Sequence, residues 1–380
     1  MLQERVAASV VLRAAYVRTE YVGYERDEAL KLARPVRTGA VRQYGTEVER
    51  PLQMAYTCVV TGATGFVGLE LCKQLLERGW NVVGTVRDTT NARRVEPLLR
   101  LAAALPGSVR LVECDLQQEG SFHEACAGAH YVFHCASPFF FGTTDPQRDI
   151  VEPAVQGTRN VMLACAATKS SLRRVVLTSS VAAVKGNAGP APPLNGKLYT
   201  EEDWNETSSV ASGEGYWESK ALAEKLAWSL AKTHELDLVT VLPNFIMGPP
   251  LSAALPDPTS VGFLKQWLEG TASKGSITFA PDVRDVARAH ILAATIPAAS
   301  GRYIVSEAAS ASPAFIAATL RQRFPQFDIP DGEDQPSETT IDNRKATREL
   351  GLQLTPLAVS LVDMAVVLIA LGIANPKLRS

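Results

Sequence analysis

No Cys-x-x-Cys pair, no basic surplus and no acidic tail occur in this chain. The six cysteines, Cys58, Cys72, Cys114, Cys126, Cys135 and Cys165, fall mostly in apolar segments. They read as small buried hydrophobes in a reducing compartment, which excludes a disulfide or zinc framework. The five histidines are scattered, and His134, ending an apolar run, reads as a structural residue rather than a ligand. No metal is expected. A net charge of −2 over 380 residues gives no footprint for nucleic acid. Leu357 to Ala374 is strongly apolar, but Asp363 interrupts it. The clean part, Met364 to Ala374, is shorter than the roughly 20 residues that span a bilayer, so a packed helix is expected and no membrane partner.

What is present begins at Thr61-Gly62-Ala63-Thr64-Gly65-Phe66-Val67-Gly68. The β-prone run Tyr56 to Val60 precedes it, and a helical pattern with Leu69, Leu71, Leu75 and Leu76 follows. A glycine-rich turn between strand and helix is what a dinucleotide pyrophosphate requires. One glycine permits the turn, the second lets the backbone approach the phosphates, and the third lets helix and strand pack closely. The helix N-terminus adds N–H donors and partial positive charge.

Short Val/Leu-rich strands then alternate with helical segments. The strands are Asn81–Val86, Val109–Glu113, Tyr131–Cys135, Arg174–Thr178 and Leu238–Leu242. The helices are Phe66–Arg78, Ala92–Ala104, Ser121–Ala127, Arg148–Thr168 and Tyr216–Lys232. Alternation of this kind predicts an α/β fold, a doubly wound parallel sheet of the NAD(P)-binding Rossmann type. After Pro243, prolines at 249, 250, 256 and 258 break the pattern. Short helices and one strand, Arg302–Ser306, follow. Three parts are expected: an extension over 1–54, a nucleotide-binding domain over 55–243, and a smaller mixed C-terminal substrate lobe over 244–380 that returns some elements to the sheet. The extension carries Arg5, Arg13 and Arg18 against Glu4 in its first 18 residues, which suits an organelle transit peptide. The acids at 20, 25, 27, 28, 47 and 49 suit an untargeted extension of a cytoplasmic protein instead, and Met54 is a second candidate start.

The second strand ends Thr85-Val86-Arg87-Asp88. An acid here suits the ribose hydroxyls of NAD, and an arginine suits the 2′-phosphate of NADP. Arg87, backed by Arg93 and Arg94, favours NADP. Asp115-Leu116 follows the third strand, where Asp115 is either an adenine contact or a turn residue. Tyr216 and Lys220 are four apart and share a helix face. A tyrosine beside an ammonium and a positive nicotinamide ring is expected to have a lowered pKa, and it can protonate a carbonyl oxygen as hydride arrives at carbon. Thr178-Ser179-Ser180 ends the fifth strand, where a serine hydroxyl can hold that oxygen.

These motifs together resemble the extended short-chain dehydrogenases/reductases. The resemblance is to the group of dihydroflavonol reductases, cinnamoyl-CoA reductases and yeast-type methylglyoxal (aldehyde) reductases, over roughly residues 56 to 374. It is carried by residues 82–88, His134-Cys135-Ala136-Ser137-Pro138-Phe139, 153–158, 174–180 and 282–290. The likeness to the yeast-type enzymes rests on 136–139 and Tyr303-Ile304-Val305-Ser306-Glu307-Ala308. The resemblance implies an NADPH-dependent carbonyl reductase, a monomer or homodimer acting on a small molecule. It makes Ser180 the catalytic serine, Tyr216 the proton donor and Lys220 the residue that holds the nicotinamide ribose. Gly62, Thr64, Gly65, Phe66, Val67, Gly68, Asp115, Leu116, Ala136, Ser137, Thr178 and Pro243 are the implied cofactor contacts, with Arg87 and Arg94 on the 2′-phosphate. Phe139, Phe140 and Phe141 would wall the substrate pocket beside Ser180. Two departures stand out. Lys185 occupies the place of the flavonoid-binding asparagine of dihydroflavonol reductases, and the cinnamoyl-CoA reductase signature around the tyrosine is missing. The alternatives are one of those two substrates despite the departures, a nucleotide-sugar epimerase or dehydratase, and a non-catalytic NADP sensor.

Overall fold

Thr57–Thr61 forms strand β1, which is buried beyond its first residue and ends at the glycine turn. The computed structural model describes residues 56–137, 142–187, 192–255, 259–272, 280–334 and 340–379. Helix α1 (Phe66–Glu77) buries Leu69, Leu71, Leu75 and Leu76, each contributing about 1.5–3 kcal/mol on leaving water. Then come β2 (Asn81–Val86), α2 (Ala92–Ala104), β3 (Ser108–Glu113), α3 (His123–Cys126), β4 (Tyr131–His134) and α4 (Glu152–Ala167). They are followed by β5 (Arg174–Thr178), α5 (Gly215–His234), β6 (Leu238–Pro243), α6 (Thr259–Leu268), α7 (Val283–Thr295) and β7 (Gly301–Val305). Helices α8 (Pro313–Arg323), α9 (Arg344–Leu350) and α10 (Leu357–Ala370) complete the chain.

All seven strands are parallel, in the order β3-β2-β1-β4-β5-β6-β7. Helices cover both faces, so the inner strands β4 and β6 are buried along their whole length. On one face Leu75, Leu98, Val286 and Ile291 from α1, α2 and α7 join a common core. On the other, Phe122, Val161, Met162 and Ala227 bring the chain around α3 together with α4 and α5. A further apolar cluster joins Leu264 and Trp267 of α6, Ile316 and Leu320 of α8, and Leu361, Met364 and Leu368 of α10. The sheet order reverses between β1 and β4. In such sheets ligands bind beyond the carboxyl ends of the strands at that reversal.

Several boundaries differ from the sequence reading. The expected helix Arg148–Thr168 is a π-helical turn, Gln147–Val151, running into α4. Pro153 lacks the N–H that would bond the carbonyl of Asp149, which opens the ladder there. The helix expected over Ser121–Ala127 shortens to α3, and β4 stops before Cys135. Helices α6 and α7 had not been delimited. Asp363 on α10 is paired rather than solvated, because Arg284 reaches it at 2.7 Å while also gripping Asp282 at 2.7 Å. No helix of the described residues is long and apolar enough to cross a membrane.

Candidate active site

Every described candidate lies at the C-terminal edge of the sheet or on the helix that faces it. The glycine turn begins at Gly62, whose φ of +67° favours glycine. A side chain there would also meet the Ala136 backbone at 3.1 Å. Gly65 donates its N–H to the Gly62 carbonyl at 2.9 Å and starts α1 without a side-chain cap. The first N–H groups of α1 therefore stay available to an anion. A Cβ on Gly68 would lie 2.2 Å from the Gly62 carbonyl oxygen, so this glycine sets how closely helix and strand approach. Thr64, Phe66 and Val67 are half-buried along the same turn.

Thr61, which opens the glycine motif but was given no role of its own, ties this turn to β4. Its Oγ1 accepts the Ala136 N–H at 3.0 Å and lies 2.8 Å from His134 Nδ1. Oγ1 keeps a second lone pair beside the Ala136 bond, so either the hydroxyl or the ring N–H serves as donor between them. Burial, helped by the charge on Lys220, pushes the His134 pKa down to about 3. The structural reading of His134 fits this geometry. Thr178, at the end of β5, has a matching partner in His290 on α7, with Oγ1 2.7 Å from Nε2. His290 Nδ1 donates to the Val286 carbonyl at 2.7 Å, so Nε2 accepts from the threonine. Burial holds His290 near 4.

Arg87 is exposed at the end of β2, and Arg94 is half-buried on the first turns of α2. Partial burial and the charges of Arg87 and Arg93 lower the Arg94 pKa, so the three guanidiniums form one electropositive cluster. Arg94 also donates to the Ala254 carbonyl at 3.1 Å. Asp88 turns back on its own loop, accepting from Thr90 N at 2.8 Å and Oγ1 at 2.6 Å. Asp115 likewise caps its own turn, accepting from Gln117 N at 2.9 Å. The Leu116 side chain packs where a Cβ on Gly157 would lie.

Ser180 ends the β5 segment in an extended conformation, and its Oγ accepts the Ala182 N–H at 3.1 Å. It also lies 3.4 Å from the carbonyl of buried Pro243, at the end of β6. The Ser180 and Tyr216 hydroxyls are hydrogen-bonded, and Lys220 Nζ is 5.7 Å from the Tyr216 ring centroid. Burial raises the Tyr216 pKa above its ordinary value, with the Ser180 bond opposing. The expected lowering is not seen, because burial outweighs the Ser180 bond. Burial pushes Lys220 down to about 8.

A cavity of about 10 Å³ lined by His134, Ser137, Thr178, Lys220 and Glu224 lies among these groups. A much larger cleft of about 920 Å³ opens beyond β7 at Glu307, Ser310, Phe315 and Leu357. None of the candidate catalytic residues lines the larger cleft, and of Ser180, Tyr216 and Lys220 only Lys220 lines the smaller cavity. Phe139, Phe140 and Phe141 lie outside the described residues. Lys185 places its ammonium 5.3 Å from the Tyr199 ring centroid. The cysteines are free thiols, all buried except the half-buried Cys135. No group of metal-ligating side chains occurs among the described residues.

A family model described as "NAD dependent epimerase/dehydratase family" matches residues 58–306. A cinnamoyl-CoA reductase from Medicago truncatula is 36% identical over 310 residues, 80% of this chain and 93% of the relative. An anthocyanidin reductase ((2S)-flavan-3-ol-forming) from Vitis vinifera is 39% identical over 309 residues, covering 77% and 88%. The crystal structure of the yeast methylglyoxal/isovaleraldehyde reductase Gre2 with NADPH superposes with a TM-score of 0.73 at 28% identity, covering 83% of this chain and 99% of the other. The sequence is thus nearer to these two plant reductases than to the yeast enzyme. With its family model matching two-thirds of its length, the chain belongs to the NAD-dependent epimerase/dehydratase family of extended short-chain dehydrogenases/reductases.

Proposed function

We propose that the protein is an NADPH-dependent carbonyl reductase that converts an aldehyde or ketone to an alcohol. The observation that carries this reading is the Ser180–Tyr216 hydroxyl pair beside buried Lys220, at the sheet edge that bears the glycine turn. NADPH supplies hydride when bound. The uncapped start of α1 suits its pyrophosphate, and Arg87 and Arg94 suit its 2′-phosphate. With Asp88 committed to Thr90, no acid from that loop competes for the ribose.

The side chains have distinct duties. Ser180 accepts the Ala182 N–H and is held between the Pro243 carbonyl and the Tyr216 hydroxyl, so a substrate oxygen would take its proton in place of the long bond to Pro243. Tyr216 stays a neutral phenol because burial disfavours its anion, so it holds the proton that the oxygen needs. Lys220 places an ammonium near the ring, which offsets the negative charge of the phenolate as the phenol gives up its proton. The C-terminal part, residues 244–380, supplies the substrate side of the cleft.

The reductases named above support a carbonyl substrate, and the flavonoid and cinnamoyl-CoA enzymes among them define the competing substrate classes. The test is NADPH oxidation by the purified protein on methylglyoxal, branched aldehydes, a dihydroflavonol and cinnamoyl-CoA, with NADH in parallel. Turnover with NADPH on at least one carbonyl is expected. Tightly retained NAD, with no carbonyl reduced, would instead favour epimerase chemistry.

A further inference from the structure

One turn beyond Lys220 on α5, Glu224 is 1% exposed. Its carboxylate accepts from Ser179 Oγ at 2.6 Å, Thr240 Oγ1 on β6 at 2.8 Å and Trp228 Nε1 at 3.3 Å. Arg302 on β7 adds Nε at 2.8 Å and Nη2 at 3.1 Å. The other guanidinium donors go to the carbonyls of Glu201, Asp203 and Ala183, at 2.9, 2.6 and 3.3 Å. The guanidinium carbon sits 3.7 Å from the Trp204 ring centroid. A buried ion pair is weak evidence for stability, since well-packed apolar residues commonly serve as well. This one is placed where apolar residues would not serve. It grips the residue before Ser180, the helix that carries Tyr216 and Lys220, and the loop that follows Ser180.

We propose that Glu224 is a positioning residue of the reductase site, holding Ser180 in register with Tyr216 and Lys220 through Ser179 and Arg302, and acting as the electrostatic partner of Lys220. The proposal rests on the reductase reading above. Of the groups facing Lys220, His134 and Cys135 from the end of β4 are neutral near pH 7, and Tyr216 is a neutral phenol. Beyond them lies the Glu224–Arg302 ion pair, and after Cys135 the Glu224 side chain favours the ammonium against burial.

Glu224→Gln alone strands a buried guanidinium, so the informative variant is the double Glu224→Gln, Arg302→Met, which removes both charges and keeps the bulk. Ser179→Ala removes only the grip on β5. Both are compared with wild type and with Tyr216→Phe for thermal melting, NADPH binding by fluorescence, kcat, KM and the pH profile of kcat. The double variant should fold and bind NADPH, with kcat lower by about 10–100-fold and KM little changed. Its alkaline limb should move to lower pH, the direction in which loss of the Glu224 carboxylate shifts Lys220. Ser179→Ala should lower kcat without moving that limb. A folded double variant with wild-type kcat and an unmoved limb overturns the proposal. If the double variant does not fold, wild-type kcat in Ser179→Ala overturns it. A wild type that reduces no carbonyl overturns the reductase reading itself, wild-type turnover in Tyr216→Phe overturns the proton donor, and a dead Tyr216→Phe beside a fully active double variant overturns the positioning role alone.

Discussion

Ser180 accepts a backbone N–H from Ala182 and donates toward the Pro243 carbonyl at 3.4 Å, so its hydroxyl is held by partners rather than left as a free rotor. Removing it in Ser180→Ala should cost about 10²–10³-fold in kcat, with NADPH binding unchanged. An equal rise in the NADPH dissociation constant would show a structural serine instead. Arg87 and Arg94 make a different prediction, because charge-assisted bonds to a phosphate act on binding. Arg87→Ala and Arg94→Ala should each raise the KM for NADPH by about 10–100-fold and leave the KM for NADH nearly unchanged. Parallel losses with both cofactors would contradict the 2′-phosphate assignment. Spacing made Tyr216 and Lys220 legible in the sequence, since four residues place two side chains on one helix face. The same spacing continues to Glu224, a signal that was present and not used. Arg302 had no such signal, because it comes from a strand 78 residues further on and meets Glu224 only through sheet order. Thr61 and His290 were hidden for the same reason. Their partners come from β4 and β5, far away in sequence.

At the level of elements, the glycine turn is a packing device as well as a ligand surface. Gly68→Ala drives a Cβ against the backbone of Gly62, with the carbonyl oxygen at 2.2 Å and its carbon at 2.9 Å. Backbone cannot yield as a side-chain tip can, so α1 must move away from β1. The expected cost is about 1–3 kcal/mol of stability, with weakened NADPH binding, read by denaturant titration and fluorescence. A variant with wild-type stability would show that the turn relaxes freely. Buried parallel strands and amphipathic helices up to β6 were legible because apolar runs and helical periodicity differ clearly. The π-helical turn before α4 was not, because one proline reads as an ordinary first-turn residue. Helices α6 and α7 follow the proline-rich segment, where short elements lose their periodic signal.

Over the whole molecule, two neutral histidines bind the sheet to its surroundings: His134 to the glycine turn and His290 between β5 and α7. Folded, they titrate near 3 and 4; unfolded, near 6.5. Below about pH 6.5 the unfolded chain takes up protons that the folded chain refuses, so this contribution to stability is lost as pH falls. The loss is at most about 1.4 kcal/mol per pH unit for each histidine. Buried Glu70 and Glu201, raised by burial, act in the opposite direction. The histidine component is therefore read as a difference. Between pH 7.5 and 5.5, wild type should lose more unfolding free energy than His290→Gln, and equal losses would contradict the buried neutral ring. The order of the sheet also brings the C-terminal strand β7, and Arg302 with it, beside the catalytic edge, so the site is complete only when the last strand is in place. The central claim is that Tyr216 gives the proton while the rest of the site holds cofactor and substrate. The most direct test is Tyr216→Phe, assayed for NADPH oxidation on the best carbonyl of the wild type and for NADPH binding. Turnover lower by about 10²–10⁴-fold with binding intact is the predicted result, and wild-type turnover would contradict the account.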